Sequence, residues 1–213
     1  MDKIRLAVVG CGDIAYRSYL PAMQQMKEQV AVVAACDMDR QRAERAVAEY
    51  GVEQAFTDMQ EMLAKVRPDG VLILTSMVPH GPLSLMALEA GAHVYVEKVM
   101  AVNMEQADRM VELAERKELI LSCAPSTILL SAFEYTKKAI AAGEIGKVSL
   151  VQALGAHHGP ARWDGYTSDP TWFYQQGAGP LFDLAVYPVQ ILTHVIGPVK
   201  RVAAFSGLAL PEV

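Results

Sequence analysis

Nothing in this sequence is built to meet a polyanion. Its 213 residues carry 19 Lys and Arg against 24 Asp and Glu, a formal charge of -5. The basic residues form no stripe or block, which argues against a nucleic-acid partner. The cysteines are few: Cys11, Cys36 and Cys123 are widely spaced, odd in number and without a CxxC or zinc pattern. They read as reduced thiols of a reducing compartment. No apolar run approaches the length of a membrane span. The N-terminal apolar run is short and leads straight into a glycine turn, so it does not read as a signal peptide. The expected location is the cytoplasm. Internal repeats and low-complexity stretches are also missing. What is present is ordinary for a globular protein: 52% apolar and 20% charged residues, in a chain long enough to bury a core without disulfide or metal staples.

Short β-branched runs alternate with helical patterns over the first 120 or so residues. Strands are expected at Ile4 to Val9, Val30 to Cys36, Gly70 to Thr75, His93 to Glu97 and Leu119 to Cys123. Between them lie helical stretches at Ile14 to Gln29 (interrupted by Pro21), Arg40 to Tyr50, Asp58 to Val66, Leu83 to Ala90 and Met104 to Lys117. This order predicts an α/β fold with a doubly wound parallel sheet and right-handed crossovers. The texture changes after Cys123. A helix from Ser131 to Ala142, a strand near Lys147 to Ala153, a loop rich in His, Gly, Pro and Trp, a helix from Leu181 to Ile196 and a strand from Arg201 to Ser206 follow. The expected division is 1–123 for a dinucleotide-binding domain and 124–213 for a partial substrate and oligomerisation domain. Two isolated strands leave an open edge and a half-covered apolar face. The expectation is therefore that the natural chain continues past Val213 or that another chain covers this face.

Gly10-Cys11-Gly12-Asp13-Ile14-Ala15 is a G-x-G-x-x-A turn between an expected strand and an expected helix. The first glycine permits the tight turn, the second a close approach to a pyrophosphate, and the small last residue helix packing. The helix N-terminus offers free N–H groups and a positive dipole to phosphates. Asp37 ends the second strand, 22 residues after Ala15, where a carboxylate can accept from ribose hydroxyls. The bland alternative is a structural turn and a solvated Asp. Asp37 would repel a 2′-phosphate, which favours NAD; Arg40 and Arg42 keep NADP open.

Glu97-Lys98 ends the fourth strand, where ligands bind in open α/β sheets. The alternative is an exposed charged pair. Asp183 and Tyr187 share a helical face, with Pro188 expected to bend that helix or mark an early turn. They read either as site residues or as a core-edge tyrosine and a carboxylate favoured by the helix dipole. His157 and His158 can line a pocket; no third ligand at a recognisable spacing makes them a metal site. Trp163, Trp172, Phe173 and Tyr174 fit a lid or an interface.

In order and spacing these motifs resemble the glucose-fructose oxidoreductase/inositol dehydrogenase (Gfo/Idh/MocA) family. The resemblance is carried by residues 8–15, the stretch from Thr75 to His80, residues 90–98, Ala142 to Val148 and Gly177 to Asp183. It implies a dinucleotide domain followed by an α/β domain with a large open sheet that commonly forms the oligomer interface, in proteins considerably longer than this chain. It implies that Lys98 is the catalytic lysine and Asp183 the aspartate of the second motif. Tyr187 falls where many members carry histidine and some sugar-oxidising members tyrosine. The implied cofactor-binding set is Gly10, Gly12, Asp13, Ile14, Asp37, Thr75, His80, Glu97 and Lys98, with no metal. This chain departs from the pattern at Val99, where proline follows the lysine, at Ser76 and Met77, where Pro-Asn is usual, and at Ala185, where glycine is common.

The expected activity is hydride transfer between NAD(P) and a hydroxyl or carbonyl of a sugar or polyol. In that scheme Tyr187 accepts the hydroxyl proton. A tyrosine pKa near 10 makes it a poor base unless a cation such as Lys98 lowers it. Lys98 also donates to the substrate oxygen, and Asp183 binds a second hydroxyl or orients Tyr187. His80 lines the pocket wall. Two other readings stand beside it: an enzyme that cycles a tightly bound NAD, and a non-catalytic dinucleotide- or sugar-binding protein, a sensor or an inactive paralogue.

Overall fold

The structure is a computed structural model that describes residues 2–157, 159–164, 166 and 169–207. It divides into two compact units. The first joins Met1–Ser126 with Gly155–Val186, and the second joins Thr127–Leu154 with Tyr187–Val213.

The first unit is built on a six-stranded parallel sheet: β1 (Ile4–Val9), β2 (Val30–Cys36), β3 (Ala55–Phe56), β4 (Gly70–Ile73), β5 (His93–Val96) and β6 (Leu121–Cys123). The spatial order is β3-β2-β1-β4-β5-β6, and every neighbouring pair is parallel. This is the doubly wound order, with its switch point between β1 and β4. Five strands match the sequence expectation; β3, two residues long, carries too little pattern to be read. Alternate residues of each strand face opposite sides of the sheet. Ala7, Val9, Val71 and Ile73 enter one apolar cluster with Met62, Leu88 and Met110. Val8, Leu72 and Leu74 enter the other with Ala15, Leu20 and Val52. Burial on both faces explains the unbroken apolar runs of the strands.

The helices are α1 (Leu20–Gln25), α2 (Arg40–Tyr50), α3 (Met59–Val66), α4 (His80–Glu89) and α5 (Met104–Arg116). Asp39, Asp58 and Asn103 accept hydrogen bonds from the first-turn N–H groups of α2, α3 and α5. The stretch read as one helix from Ile14 begins with a π-helical turn, Ala15–Tyr19, in which the Leu20 N–H reaches back to the Ala15 carbonyl. Pro21 lacks an N–H and would crowd the carbonyl four residues earlier. The wider turn before it absorbs the conflict, and Pro21 lies in the first turn of α1.

The second unit holds α6 (Ser131–Ala141) and, from Tyr187 on, α8 (Val186–Ile196), where His194 Nε2 lies 2.7 Å from Glu134 Oε1. The strands expected at Lys147 to Ala153 and Arg201 to Ser206 are not formed among the described residues. A strand persists only through a paired ladder, and neither segment has one here. The helix expected from Leu181 to Ile196 is two helices, α7 (Pro180–Leu184) and α8, separated at Ala185. Pro188 explains the break: it cannot donate to the carbonyl of Leu184, and restarting the helix at Val186 puts Pro188 in a first turn, where no donor is needed.

Among the described residues no helix is long and apolar enough to cross a membrane, and no group of three or more His, Cys, Asp or Glu could hold a metal ion. All three cysteines are free. Burial pushes the Cys11 and Cys123 thiols up to about 12 and Cys36 up to about 11. Thiolate is the reactive form, so none should react with an aromatic disulfide reagent at pH 8 within minutes, whereas all three should in denaturant. Rapid stoichiometric labelling of the native chain would refute their burial.

Candidate active site

The candidate residues of the first unit gather at the carboxyl edge of its sheet. β1 ends at Val9, and Gly10 turns away at a φ of +91°. A Cβ there would lie 2.7 Å from the Thr75 nitrogen and 2.8 Å from the Leu74 carbonyl carbon, so glycine is required both by conformation and by the approach of the segment after β4. Gly12, Asp13 and Ile14 lead into the π-helical turn. Asp13 pairs with Arg17 at 3.1 Å.

Asp37 follows β2 directly and ties the turn down. Its Oδ2 accepts from the Cys11 N–H at 2.8 Å and its Oδ1 from the Asp39 N–H at 2.9 Å. Each oxygen keeps a further lone pair for a hydroxyl donor. Arg42 lies 3.6 Å from Asp39, and Arg40 pairs with Glu44.

Thr75 lies beyond β4, and Glu97 and Lys98 follow β5. The Lys98–Val99 peptide is cis. Glu97 accepts from the Tyr19 hydroxyl at 2.6 Å and from the Lys98 N–H at 2.9 Å. Tyr19 in turn lies 3.2 Å from the Tyr95 hydroxyl. Burial first, then the Glu97 hydrogen bond, drives the Tyr19 phenol far above its ordinary value, so this network is a fixed proton-bearing strut. Sequence reading missed Tyr19, whose inward aim depends on the π-helical turn. His80, the first residue of α4, is fully buried. Its Nδ1 lies 2.6 Å from the Val99 carbonyl and its Nε2 3.0 Å from the Thr75 carbonyl. Burial holds its pKa below the usual value, against the pull of both carbonyls.

The Lys98 ammonium donates to Asp183 Oδ1, and His157 Nε2 lies 2.9 Å from Asp183 Oδ2. All three side chains are less than one-fifth exposed. His157 Nδ1 accepts the Gly159 N–H at 2.8 Å, which leaves the proton of a neutral ring on Nε2, pointed at Asp183. Asp183 is thus shared between a cation and an imidazole N–H. Sequence reading allowed His157 only as a pocket wall; no spacing rule links positions 157 and 183. His158, its partner in that reading, lies outside the described residues.

The aromatic segment packs around His157. Trp163 meets its edge at 5.0 Å between ring centroids and Phe173 lies 5.8 Å away. The Trp172 indole N–H donates to the Tyr166 hydroxyl at 3.1 Å. Burial raises the Tyr166 pKa, and the charges of Asp13, Arg17 and Asp183 all act on it. Tyr166 therefore stands within electrostatic reach of both the glycine turn and Asp183. Tyr187, the second residue of α8, belongs to the second unit.

The donor set fits a dinucleotide: a glycine turn opening a helix, an acidic residue beyond β2 and polar groups beyond β4 and β5 all stand at one edge, at the switch point. Comparison with known proteins agrees. Residues 4–124 match the family described as "Oxidoreductase family, NAD-binding Rossmann fold", and residues 133–213 match the "GFO/IDH/MocA C-terminal domain". The chain is 28% identical to D-glucoside 3-dehydrogenase of Escherichia coli K12 over 96% of its own length and 58% of that protein. It is 30% identical to dTDP-3,4-didehydro-2,6-dideoxy-alpha-D-glucose 3-reductase of Saccharopolyspora spinosa over 95% of its own length and 59% of the relative. It thus spans about three-fifths of the length of these curated relatives. The WlbA dehydrogenase of Bordetella pertussis, solved with NADH and UDP-GlcNAcA, superposes with a TM-score of 0.63 at 29% identity, over 67% of this chain and 44% of that one. Myo-inositol 2-dehydrogenase of Lactobacillus plantarum, at 22% identity, shares the fold with a TM-score of 0.80, over 92% of this chain and 57% of that one. The chain belongs to the Gfo/Idh/MocA oxidoreductase family, whose NAD-binding Rossmann fold its first 124 residues form.

Proposed function

We propose that this chain is the cofactor-binding part, and the beginning of the substrate part, of an NAD(P)-dependent oxidoreductase that acts on a CH–OH group of a sugar or polyol. The observation that carries this reading is the Lys98–Asp183–His157 chain at the cofactor edge of the sheet, with Asp183 buried and its two partners mostly so. A structural surface pair needs neither that burial nor three members.

When bound, the nicotinamide supplies the hydride chemistry. Gly12, Asp13 and Ile14 would present backbone N–H groups to its phosphates, with the Gly10 N–H already given to the Cys36 carbonyl. Asp37 would take the adenosine ribose hydroxyls, and Thr75, Glu97 and Lys98 would bound the nicotinamide end, behind which His80 is fully buried. Lys98 donates a hydrogen bond to the reacting oxygen and stabilises the charge that grows there. Asp183 keeps that ammonium aimed. His157 holds the second Asp183 oxygen, so Asp183 turns one edge to the cation and accepts a neighbouring substrate hydroxyl with its remaining lone pairs. Tyr187 is the proposed proton acceptor on its sequence position alone, four residues after Asp183. Tyr187→Phe should lower kcat on the order of 10²-fold or more; an unchanged kcat would remove it as the base.

Residues 1–123 form the cofactor domain in this reading, and 124–213 begin a domain for substrate and assembly. Exposed Leu150, Leu154, Val202 and Phe205 in the second unit support a homo-oligomer built through that domain. The free thiols support a cytoplasmic location.

The deciding experiment is a titration of the purified chain with NADH and NADPH, read by nicotinamide fluorescence. NADH should bind about tenfold or more tightly than NADPH, because a 2′-phosphate meets the Asp37 carboxylate. Asp37→Ser should narrow that gap. A folded chain that binds neither nucleotide overturns the proposal.

A further inference from the structure

The Lys98 backbone is held from two sides. Upstream, its own N–H donates to Glu97 Oε2, and Glu97 is fixed by the Tyr19 hydroxyl. Downstream, the Val99 carbonyl lies 2.6 Å from His80 Nδ1. The same imidazole reaches the Thr75 carbonyl through Nε2 at 3.0 Å. One fully buried ring thus spans the segments that leave β4 and β5. Val99 has no ring to restrict its φ, so the turn after Lys98 depends on other groups. Among the hydrogen bonds described for the Val99 backbone, the His80 contact is the one that reaches across from another element.

We infer that His80 is a positioning residue, which aims the Lys98 ammonium by holding the Val99 carbonyl. This inference rests on the proposed role of Lys98 in hydride transfer. Both ring nitrogens face carbonyl oxygens, and a neutral ring has only one N–H. The shorter contact places that proton on Nδ1, toward Val99. The Thr75 carbonyl then faces the lone pair of Nε2, acceptor against acceptor, and makes no hydrogen bond with it. The two contacts are therefore not equivalent, and the bond to Val99 is the one that matters for Lys98.

Two substitutions separate the contacts. The side-chain amide nitrogen of asparagine falls near the place of Nδ1, and that of glutamine near the place of Nε2. His80→Asn keeps the Val99 bond, His80→Gln can donate only toward Thr75, and His80→Phe fills the space with neither. Each variant is compared with the wild-type chain in melting temperature, NADH affinity, amide hydrogen exchange over residues 98–101 and the single-turnover rate of NADH formation with a responsive sugar or polyol. Exchange should speed up about fivefold to tenfold in the Gln and Phe variants and stay near wild type in Asn. The rate at saturating cofactor should fall on the order of 10²-fold in Gln and Phe, as expected for a misplaced catalytic group, and recover in Asn. A purely structural histidine would lower melting temperature without this Asn/Gln split. Unchanged exchange in all three variants overturns the brace. Faster exchange with an unchanged rate overturns its positioning role. A wild-type chain that binds NADH yet oxidises no substrate counts against the proposed function, and exchange then decides the brace by itself.

Discussion

Lys98→Met is expected to lower the single-turnover rate of hydride transfer by about 10²- to 10⁴-fold, the range for loss of a positioned proton donor, while NADH affinity stays within about twofold of wild type. Methionine keeps the length of the stem and removes the ammonium. Nothing in the glycine turn or at Asp37 touches that ammonium, so adenosine and phosphate contacts should persist. The substitution also strands Asp183, which is 7% exposed and loses its cation. Leaving a buried carboxylate half-compensated should destabilise the fold, by up to about 3 kcal/mol. The His157 ring still donates to Oδ2 and limits the loss. Adding Asp183→Asn should restore much of that stability without restoring the rate. A rate restored along with stability would show that Lys98 is structural. Equal losses of rate and NADH affinity in the single variant would place Lys98 in cofactor binding rather than in the chemistry.

Gly10→Ala carries the second large effect. The added Cβ would lie 2.7–2.8 Å from the Thr75 nitrogen, the Leu74 carbonyl carbon and the Thr75 methyl, at a φ of +91°. Two of these neighbours are backbone of the segment leaving β4 and cannot swing aside. Strain at positive φ and overpacking each contribute on the order of 1–3 kcal/mol, so the melting temperature should drop by roughly 5–10 °C in a chain of this size. NADH binding should weaken by about 10²-fold or more, because the shifted turn no longer presents its N–H groups together. Gly51→Ala is the internal control. It shares a positive φ, +67°, but has no atom within 4 Å of the new Cβ, so it should lose only about 1 kcal/mol and bind NADH normally. A Gly10→Ala protein with normal melting and normal affinity would refute the packing argument for this turn.

The legible parts of the fold were those written in local chemistry. β1, the glycine turn and Asp37 lie within one short stretch, and each performs a task that few residue types can. Gly51 ends α2 as expected, with its φ of +67°, and Asp58 caps α3 through a side-chain oxygen. The illegible parts depend on partners far away in sequence. His157 gains its meaning from Asp183, 26 positions on, through a loop with no periodic pattern. His80 reads as a pocket-wall residue until Val99 and Thr75 are seen on either side of its ring. The segments 147–153 and 201–206 have strand-like composition, but composition does not supply a ladder. Pro188 was read as a bend or an early turn; the structure turns it into a helix restart at Val186. Its lack of an N–H makes that choice, and the exact joint depends on packing.

The two ends of the sheet bear on how this protein behaves at high concentration. β3 has two residues and β6 three, so the rows of unpaired N–H and C=O groups at both margins are only a few bonds long. A second chain that tried to extend the sheet would find almost no template, the same device that natural β proteins use against runaway fibre growth. In crowded or concentrated solution the first unit should therefore resist sheet-to-sheet aggregation, and any precipitation of the native chain should begin at side-chain surfaces rather than at backbone edges.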